Sequence, residues 1–346
     1  MRRNRGSRAT LLAALLGLTL PACDRSTSSQ PPPVAAAATA SRAVSAPLGA
    51  PSSPATSVAP VAEVPPPVPI ASSAVPLHAT PELLAARPYR LVVPPGLDPA
   101  KSYPLVLFLH GYGASGSVFE SALGVGAIAR SRQFIYAIPD GTPDSHKMKF
   151  WNATDACCDF DGKSLDDVAY LRAVLADAMS KQAIDRKRVF VLGYSNGGFM
   201  AQRLACELSD TIAGIASIAG AAWKDASKCT PSEPVTVLQV HGDADPIVRY
   251  EGGHVLDKIQ MQPHPSARET VAGWASRDRC GATLLPGALL DLEDKLEGAE
   301  TVTAHYAGCA DSAVELWTVR GGNHFIAQKP RAIEAILAFL FGHPKR

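Results

Sequence analysis

An α/β fold, with a mostly parallel central sheet flanked by helices, is what this sequence predicts. Three observations carry that expectation. From about residue 82 onward, strand-like runs alternate with helical patterns. Some of these runs, such as Leu105-Val-Leu-Phe-Leu109, are apolar throughout, as strands covered on both faces must be. Finally, Arg188-Val-Phe-Val-Leu-Gly-Tyr-Ser-Asn-Gly-Gly-Phe-Met200 passes from a β-rich run through a glycine-flanked serine straight into a helical pattern. Strands alternating with helices imply parallel pairing through right-handed crossovers.

Taken in order, the expected strands are Tyr89–Val93, Leu105–Leu109, Phe134–Ile138, Val189–Leu192, Ile212–Ile218, Val235–Val240 and Val314–Val319. The expected helices are Val118–Ser131, Leu165–Ala183, Gly197–Leu208, Ser266–Arg277 and Pro330–Phe341. Residues 82–346 are ordinary in length for one α/β sheet enzyme, and no repeat or second globular unit is visible in them.

Residues 1–22 read as an export signal. Arg2, Arg3, Arg5 and Arg8 precede an uncharged apolar run from Ala9 to Ala22, which is too short for a membrane span. Leu20-Pro-Ala-Cys23 resembles the lipobox of bacterial lipoproteins, whose cysteine is lipidated after cleavage. Pro21 departs from the small residue preferred there, so plain secretion stays open beside a lipid anchor on Cys23. Either way the expected location is extracytoplasmic, and the membrane is touched only through that anchor. Removal of the segment takes away four arginines and no acid, so the formal charge moves from +1 to −3. A mildly acidic protein without a basic patch is a poor nucleic-acid binder. Residues 23–81 are rich in Pro, Ala, Ser and Thr; from Ser26 on, Arg42 and Glu63 are the only charges. Such a segment builds no core and reads as a semi-stiff tether.

Gly193-Tyr-Ser195-Asn-Gly197 is a G-x-S-x-G in strand–turn–helix context, the nucleophile elbow of the α/β-hydrolase fold. The turn is too crowded for side chains at the glycines, and it leaves the Ser195 hydroxyl free above the sheet. An activated serine needs a base and a group to orient that base, and this fold supplies them in the order Ser, acid, His. Val235–Val240 runs into His241-Gly-Asp-Ala-Asp245-Pro, where Asp243 and Asp245 compete. Asp245, before Pro246, is the chosen acid, and Asp243 is expected to bond within its own turn. Of nine histidines, His324 alone follows the last expected strand, on a Gly-Gly loop, and is the expected base. His110 and His241, each before a glycine at a strand end, are expected to be structural. For a developing oxyanion, the backbone N–H of Asn196 is paired with that of Tyr112, in the small-residue loop after Leu105–Leu109. The Tyr112 ring reads equally as a pocket wall or as solvent-facing.

A broader resemblance then becomes visible. His110-Gly-Tyr-Gly-Ala-Ser, Tyr136-Ala-Ile-Pro-Asp-Gly141, Trp151-Asn152, Asp166-Asp-Val-Ala-Tyr-Leu171, Gly193-Tyr-Ser-Asn-Gly-Gly198, Leu204-Ala-Cys-Glu207, His241-Gly-Asp-Ala-Asp-Pro246 and Gly321-Gly-Asn-His324 fall in order over residues 89–341. Together they resemble the polyhydroxybutyrate-depolymerase-like esterases, relatives of feruloyl and acetylxylan esterases (family 1 carbohydrate esterases). The resemblance implies Ser195 as nucleophile, Asp245 as acid and His324 as base, and puts Trp151 near the substrate entrance. Trp151 reads equally as a core aromatic. The implied substrates are feruloyl or acetyl esters on polysaccharide, or hydroxyalkanoate oligoesters. Where those relatives have Gly-Gly-Gly-His-Thr-Trp-Pro, this chain has Gly-Gly-Asn-His-Phe-Ile-Ala, so the pocket beside the base differs. No cofactor is called for.

Besides Cys23 there are Cys157, Cys158, Cys206, Cys229, Cys280 and Cys309, an even number that suggests disulfides in an exported body. The resemblance implies the pairs Cys280–Cys309 and Cys206–Cys229. Cys157 and Cys158 either pair with each other or reach elsewhere. Metal binding fails on ligand spacing. A peptidase or amidase on the same fold and a non-catalytic binder are the rival readings. The first lacks a propeller or large cap, and the second has no need of three triad groups.

Overall fold

The computed structural model describes residues 80–346. The expected export segment, Cys23 and the tether up to residue 79 lie outside the described residues. The chain runs through α1 (Pro81–Ala86), β1 (Arg90–Val92), β2 (Tyr103–Leu109), α2 (Gly116–Leu123), α3 (Val125–Arg132), β3 (Ile135–Ile138), the short β4 (Thr142–Pro143) and β5 (Lys149–Phe150), and α4 (Asp167–Lys181). It continues with β6 (Ile184–Tyr194), α5 (Asn196–Glu207), β7 (Gly214–Ile218), β8 (Thr236–Gly242), α6 (Ala267–Arg277), β9 (Leu284–Leu290), β10 (Thr301–Tyr306), β11 (Val314–Val319) and α7 (Pro330–Phe341).

Nine strands form the main sheet in the order β1-β3-β2-β6-β7-β8-β11-β10-β9. The middle, from β3 to β11, is parallel; β1 on one side and β10 and β9 on the other are antiparallel. The apolar runs are explained by burial on both faces. On β2, Leu105, Leu107 and Leu109 enter one core while Val106 and Phe108 enter the other, and Val189, Val191 against Phe190, Leu192 on β6 do the same. Each such side chain contributes about 1.5–3 kcal/mol of burial.

The helices start where their caps dictate. Asp166 accepts the Ala169 amide at 2.9 Å ahead of α4, and Ser266 with Glu269 forms a capping box on α6. The single helix expected over Val118–Ser131 is two, because Gly124 takes a left-handed conformation (φ 65°) between them. β9 and β10 were not foreseen. Pro286 and Gly287 argue against a strand in Leu284–Leu290, and the position of β9 at the sheet edge is what permits them. Cys280–Cys309 closes this hairpin, and Cys206–Cys229 ties α5 to the segment after β7. Both pairs are those implied by the resemblance; Cys157 pairs with its neighbour Cys158.

Parallel strands put their carboxyl ends on one edge. The loops after β2, β6, β8 and β11 therefore meet there, and they carry Tyr112, Ser195, Asp245 and His324.

Candidate active site

β6 ends in Tyr194, and Ser195 turns the chain at φ 53°, ψ −118° before α5 begins. That conformation costs a non-glycine residue about 1–3 kcal/mol and persists only when the surroundings over-determine it. Here they do. The Ser195 amide donates to Ile218 O on β7 at 2.7 Å, and its carbonyl accepts from Phe199 N at 3.0 Å. A Cβ on Gly193 would stand 2.0 Å from Gly197 O, and one on Gly197 would stand 2.2 Å from Leu109 O. Only glycine fits at either place.

His324 reaches back from the loop between β11 and α7. Its Nε2 lies 2.9 Å from Ser195 Oγ and its Nδ1 lies 2.7 Å from Asp245 Oδ2. An ionised carboxylate only accepts, so Nδ1 carries the proton and Nε2 is left to accept from the serine hydroxyl. Asp245 is held by its own turn: Oδ1 accepts the amides of Ile247 and Val248 at 2.8 and 2.9 Å. Burial pushes this carboxyl upward, but hydrogen bonds from His241 and His324 outweigh burial and hold it below the usual carboxylate range. It stays charged near neutrality. Asp243 is not the partner of His324. The expectation that it bonds within its own turn is not met: its Oδ1 accepts the Gly321 amide at 2.7 Å and ties the two loops together.

The histidine loop has two further ties. Tyr194, beside the serine, donates its hydroxyl to His324 O, and its ring packs edge-on to the imidazole at 5.9 Å. Glu293, from the β9–β10 connection, accepts the Ala327 amide.

Tyr112 and Asn196 flank the space above Ser195. Asn196 is the first residue of α5, where an amide has no acceptor within the helix. The Tyr112 amide donates to no acceptor among the described residues. Its loop is fixed by Gly113 N to Lys149 O (2.8 Å) and by Ala114 N to Gly111 O (3.1 Å). The Tyr112 ring lines a cavity and its hydroxyl donates to Asp144, which answers the question left open by the sequence in favour of a wall.

Trp151, expected near the entrance, must be corrected. It is wholly buried and lines no part of the cavity beside Ser195. Its indole N–H donates to His110 O at 3.0 Å, while its backbone N–H and C=O take both ends of the Asn196 side-chain amide at 2.7 and 2.9 Å. It braces the two loops that carry Tyr112 and Asn196. The reason is local: β5, just before it, runs Trp151 under the β2 loop instead of outward. His110 is structural as expected, its Nε2 accepting the Gly141 amide at 2.9 Å.

The cavity is about 310 Å³ and opens beside Ser195 and His324. Its wall is apolar: Val118, Phe119, Phe160, Ile247, Val255 and Leu256 contribute, and Phe325 stands at its rim, 60 % exposed. Phe325 follows His324, where the motif departs, with its ring 5.5 Å from the imidazole. The wall residues were not singled out from sequence, because these six come from four separate segments with no shared spacing.

Sheet order, parallel crossovers and a strained serine at the end of β6 make this an α/β-hydrolase fold. Residues 91–264 match the family described as phospholipase/carboxylesterase. "Putative esterase NocK" of Nocardia uniformis subsp. tsuyamanensis is 33% identical over 238 residues, which cover 61% of this chain and 68% of that protein. Feruloyl esterase B of Piromyces equi is 29% identical over 237 residues, 67% of this chain and 41% of that protein. A bifunctional acetylxylan esterase/xylanase of Neocallimastix patriciarum is 27% identical over 202 residues, 58% of this chain and 28% of that protein. This chain therefore spans less than half the length of the latter two. The chain belongs to the phospholipase/carboxylesterase family and is an esterase by class.

Proposed function

We propose that the protein is an exported serine esterase that works through Ser195, His324 and Asp245 and an acyl-enzyme. The observation that carries this reading is the single imidazole that contacts Ser195 Oγ at 2.9 Å and Asp245 Oδ2 at 2.7 Å, at the mouth of an apolar cavity. His324 Nε2 takes the hydroxyl proton as Oγ attacks the ester carbonyl. Asp245 keeps Nδ1–H in place and stabilises the imidazolium that forms. The amides of Tyr112 and Asn196 receive the oxyanion, and each such donor is worth about 100- to 1,000-fold in rate. The imidazolium then protonates the departing alcohol, and water, deprotonated by the same nitrogen, clears the acyl group.

The substrates proposed are feruloyl or acetyl esters on polysaccharide, or hydroxyalkanoate oligoesters. The cavity favours acyl groups larger than acetyl, since its apolar wall is wasted on a methyl group. The export segment 1–22, the tether 23–81 and the catalytic body 82–346 are part of the same proposal. Cys23 is proposed as the lipid anchor, with release after cleavage as the other outcome.

The test is hydrolysis of methyl ferulate beside p-nitrophenyl acetate by the full chain and by Ser195→Ala. Loss of kcat on the order of 10^6-fold in the variant is expected. Ferulate turnover places the substrate among hydroxycinnamoyl esters, and acetate turnover alone moves it to the others. A folded wild-type protein that cleaves neither ester would favour a binding protein and end the esterase reading.

A further inference from the structure

β8 presents alternate side chains to opposite faces, so Gln239 and His241 point to the same side of the sheet, toward α5 and α6. They do not meet an apolar layer there. Trp274 of α6 donates Nε1–H to Gln202 Oε1 at 2.6 Å. Gln202 Nε2 donates to Gln239 Oε1 at 3.1 Å. Gln239 Nε2 donates to Gly220 O at 2.7 Å and lies 3.2 Å from His241 Nδ1. His241 Nε2 lies 2.7 Å from Val248 O and 3.5 Å from Asp245 Oδ2. All four side chains are at most 1 % exposed.

This chain has one direction. An indole nitrogen can only donate, so Gln202 must offer its oxygen to Trp274 and its nitrogen to Gln239. Gln239 must then offer its oxygen to Gln202 and its nitrogen to the ring of His241. Nδ1 of His241 is left as an acceptor and the ring proton sits on Nε2. Reversal at any link would set two donors against each other in the interior, which costs about 1–3 kcal/mol for each buried group left unpaired.

We infer that Trp274, Gln202, Gln239 and His241 form a directed hydrogen-bond chain whose purpose is to position Asp245 for His324. His241 Nε2–H holds Val248 O and faces Asp245 Oδ2, while Val248 N–H holds Asp245 Oδ1 at 2.9 Å. The imidazole thus fixes the turn that fixes the carboxylate. His241 is a positioning residue, acting through Asp245 and touching no substrate. The inference rests on the triad reading above and extends it through His241, which opens the acid's own motif, to Trp274, Gln202 and Gln239, which lie outside every triad motif.

Two measurements on the full chain test it. The first is ¹⁵N NMR of the His241 ring near neutral pH, which does not depend on catalysis. The proton is expected on Nε2 alone in the wild type, with both tautomers present in Trp274→Phe. A wild-type ring protonated on Nδ1, or a variant identical to wild type, overturns the chain's direction. The second is ester hydrolysis. His241→Leu is expected to lower kcat about 10- to 100-fold with KM within about twofold. His241→Gln, which can place an N–H near the position of Nε2, is expected to recover most of that loss. Equal losses in Leu and Gln, or a raised KM with kcat unchanged, would overturn the positioning role. If His241→Leu does not fold, Trp274→Phe serves: a kcat drop of about three- to tenfold is expected, and none would count against the inference. Full hydrolysis by Ser195→Ala would sink the triad reading itself, leaving the ring measurement to judge the chain.

Discussion

Ser195 and His324 stand 2.9 Å apart, yet the protein brings them there by opposite means. The serine is placed by backbone alone. Strand β6, the hydrogen bond from the Ser195 amide to Ile218 O and two glycines pressed against carbonyl oxygens leave the turn no other path. The histidine is placed by side chains from distant parts of the chain. Tyr194 reaches its carbonyl, Glu293 reaches Ala327, and Asp243 reaches Gly321. A backbone-built site is unforgiving and leaves a dense local signature. A site built from side-chain ties is tolerant link by link, and its supports are scattered.

The sharpest way to break the comparison is at a glycine. Gly197→Ala puts a methyl group 2.2 Å from Leu109 O, a backbone atom in the middle of the sheet that cannot yield. We expect a loss of about 3 kcal/mol in urea unfolding, together with collapse of esterase activity. A folded, active variant would mean that the elbow is less constrained than its contacts require.

Tyr194→Phe tests the other half. It keeps the ring against His324 and removes only the hydroxyl that donates to His324 O. The expected stability cost is about 1 kcal/mol, with kcat lowered roughly tenfold and KM little changed. An unaltered kcat would mean that the loop's other ties hold the imidazole unaided.

The same contrast explains what was legible in the sequence. Backbone sterics concentrated at one tight turn left G-x-S-x-G, and the order of acid and base followed from the fold that this turn defines. The parallel strands were legible because burial on both faces leaves runs such as Leu105–Leu109 apolar throughout. The edge hairpin β9–β10 was not, since an edge strand tolerates Pro286 and Gly287 and shows no alternation. Trp151 was open to two readings because its neighbours in sequence do not say which way β5 runs. The chain from Trp274 to His241 joins residues up to 72 positions apart at one link and obeys no spacing at all. Hydrogen bonds between distant side chains become visible only once the fold has placed them.

The smallest expected effect concerns the long connection that carries the acid. His264 closes it by pairing with Gly253 at 2.7 and 3.1 Å, and its ring is buried with Nε2 unpartnered among the described residues. Burial lowers this imidazole from 6.5 to about 4, against the opposing pull of its contact with Pro265 O. The native state therefore holds the ring neutral while the unfolded chain protonates it. That part of the stability is complete above pH about 6.5 and is lost as pH falls toward about 4. Asp278, which burial pushes up to about 6, acts with the opposite sign: the native state keeps its proton longer, so it favours folding as pH falls. Comparison of wild type with His264→Leu cancels the Asp278 contribution, which both share. Melting temperatures measured across this range should drop more steeply in the wild type, with the two curves converging in slope above neutrality. Parallel curves would show that His264 titrates alike in the folded and unfolded chain. The acid's connection would then be no more sensitive to pH than the elbow, which is held by backbone atoms that do not titrate.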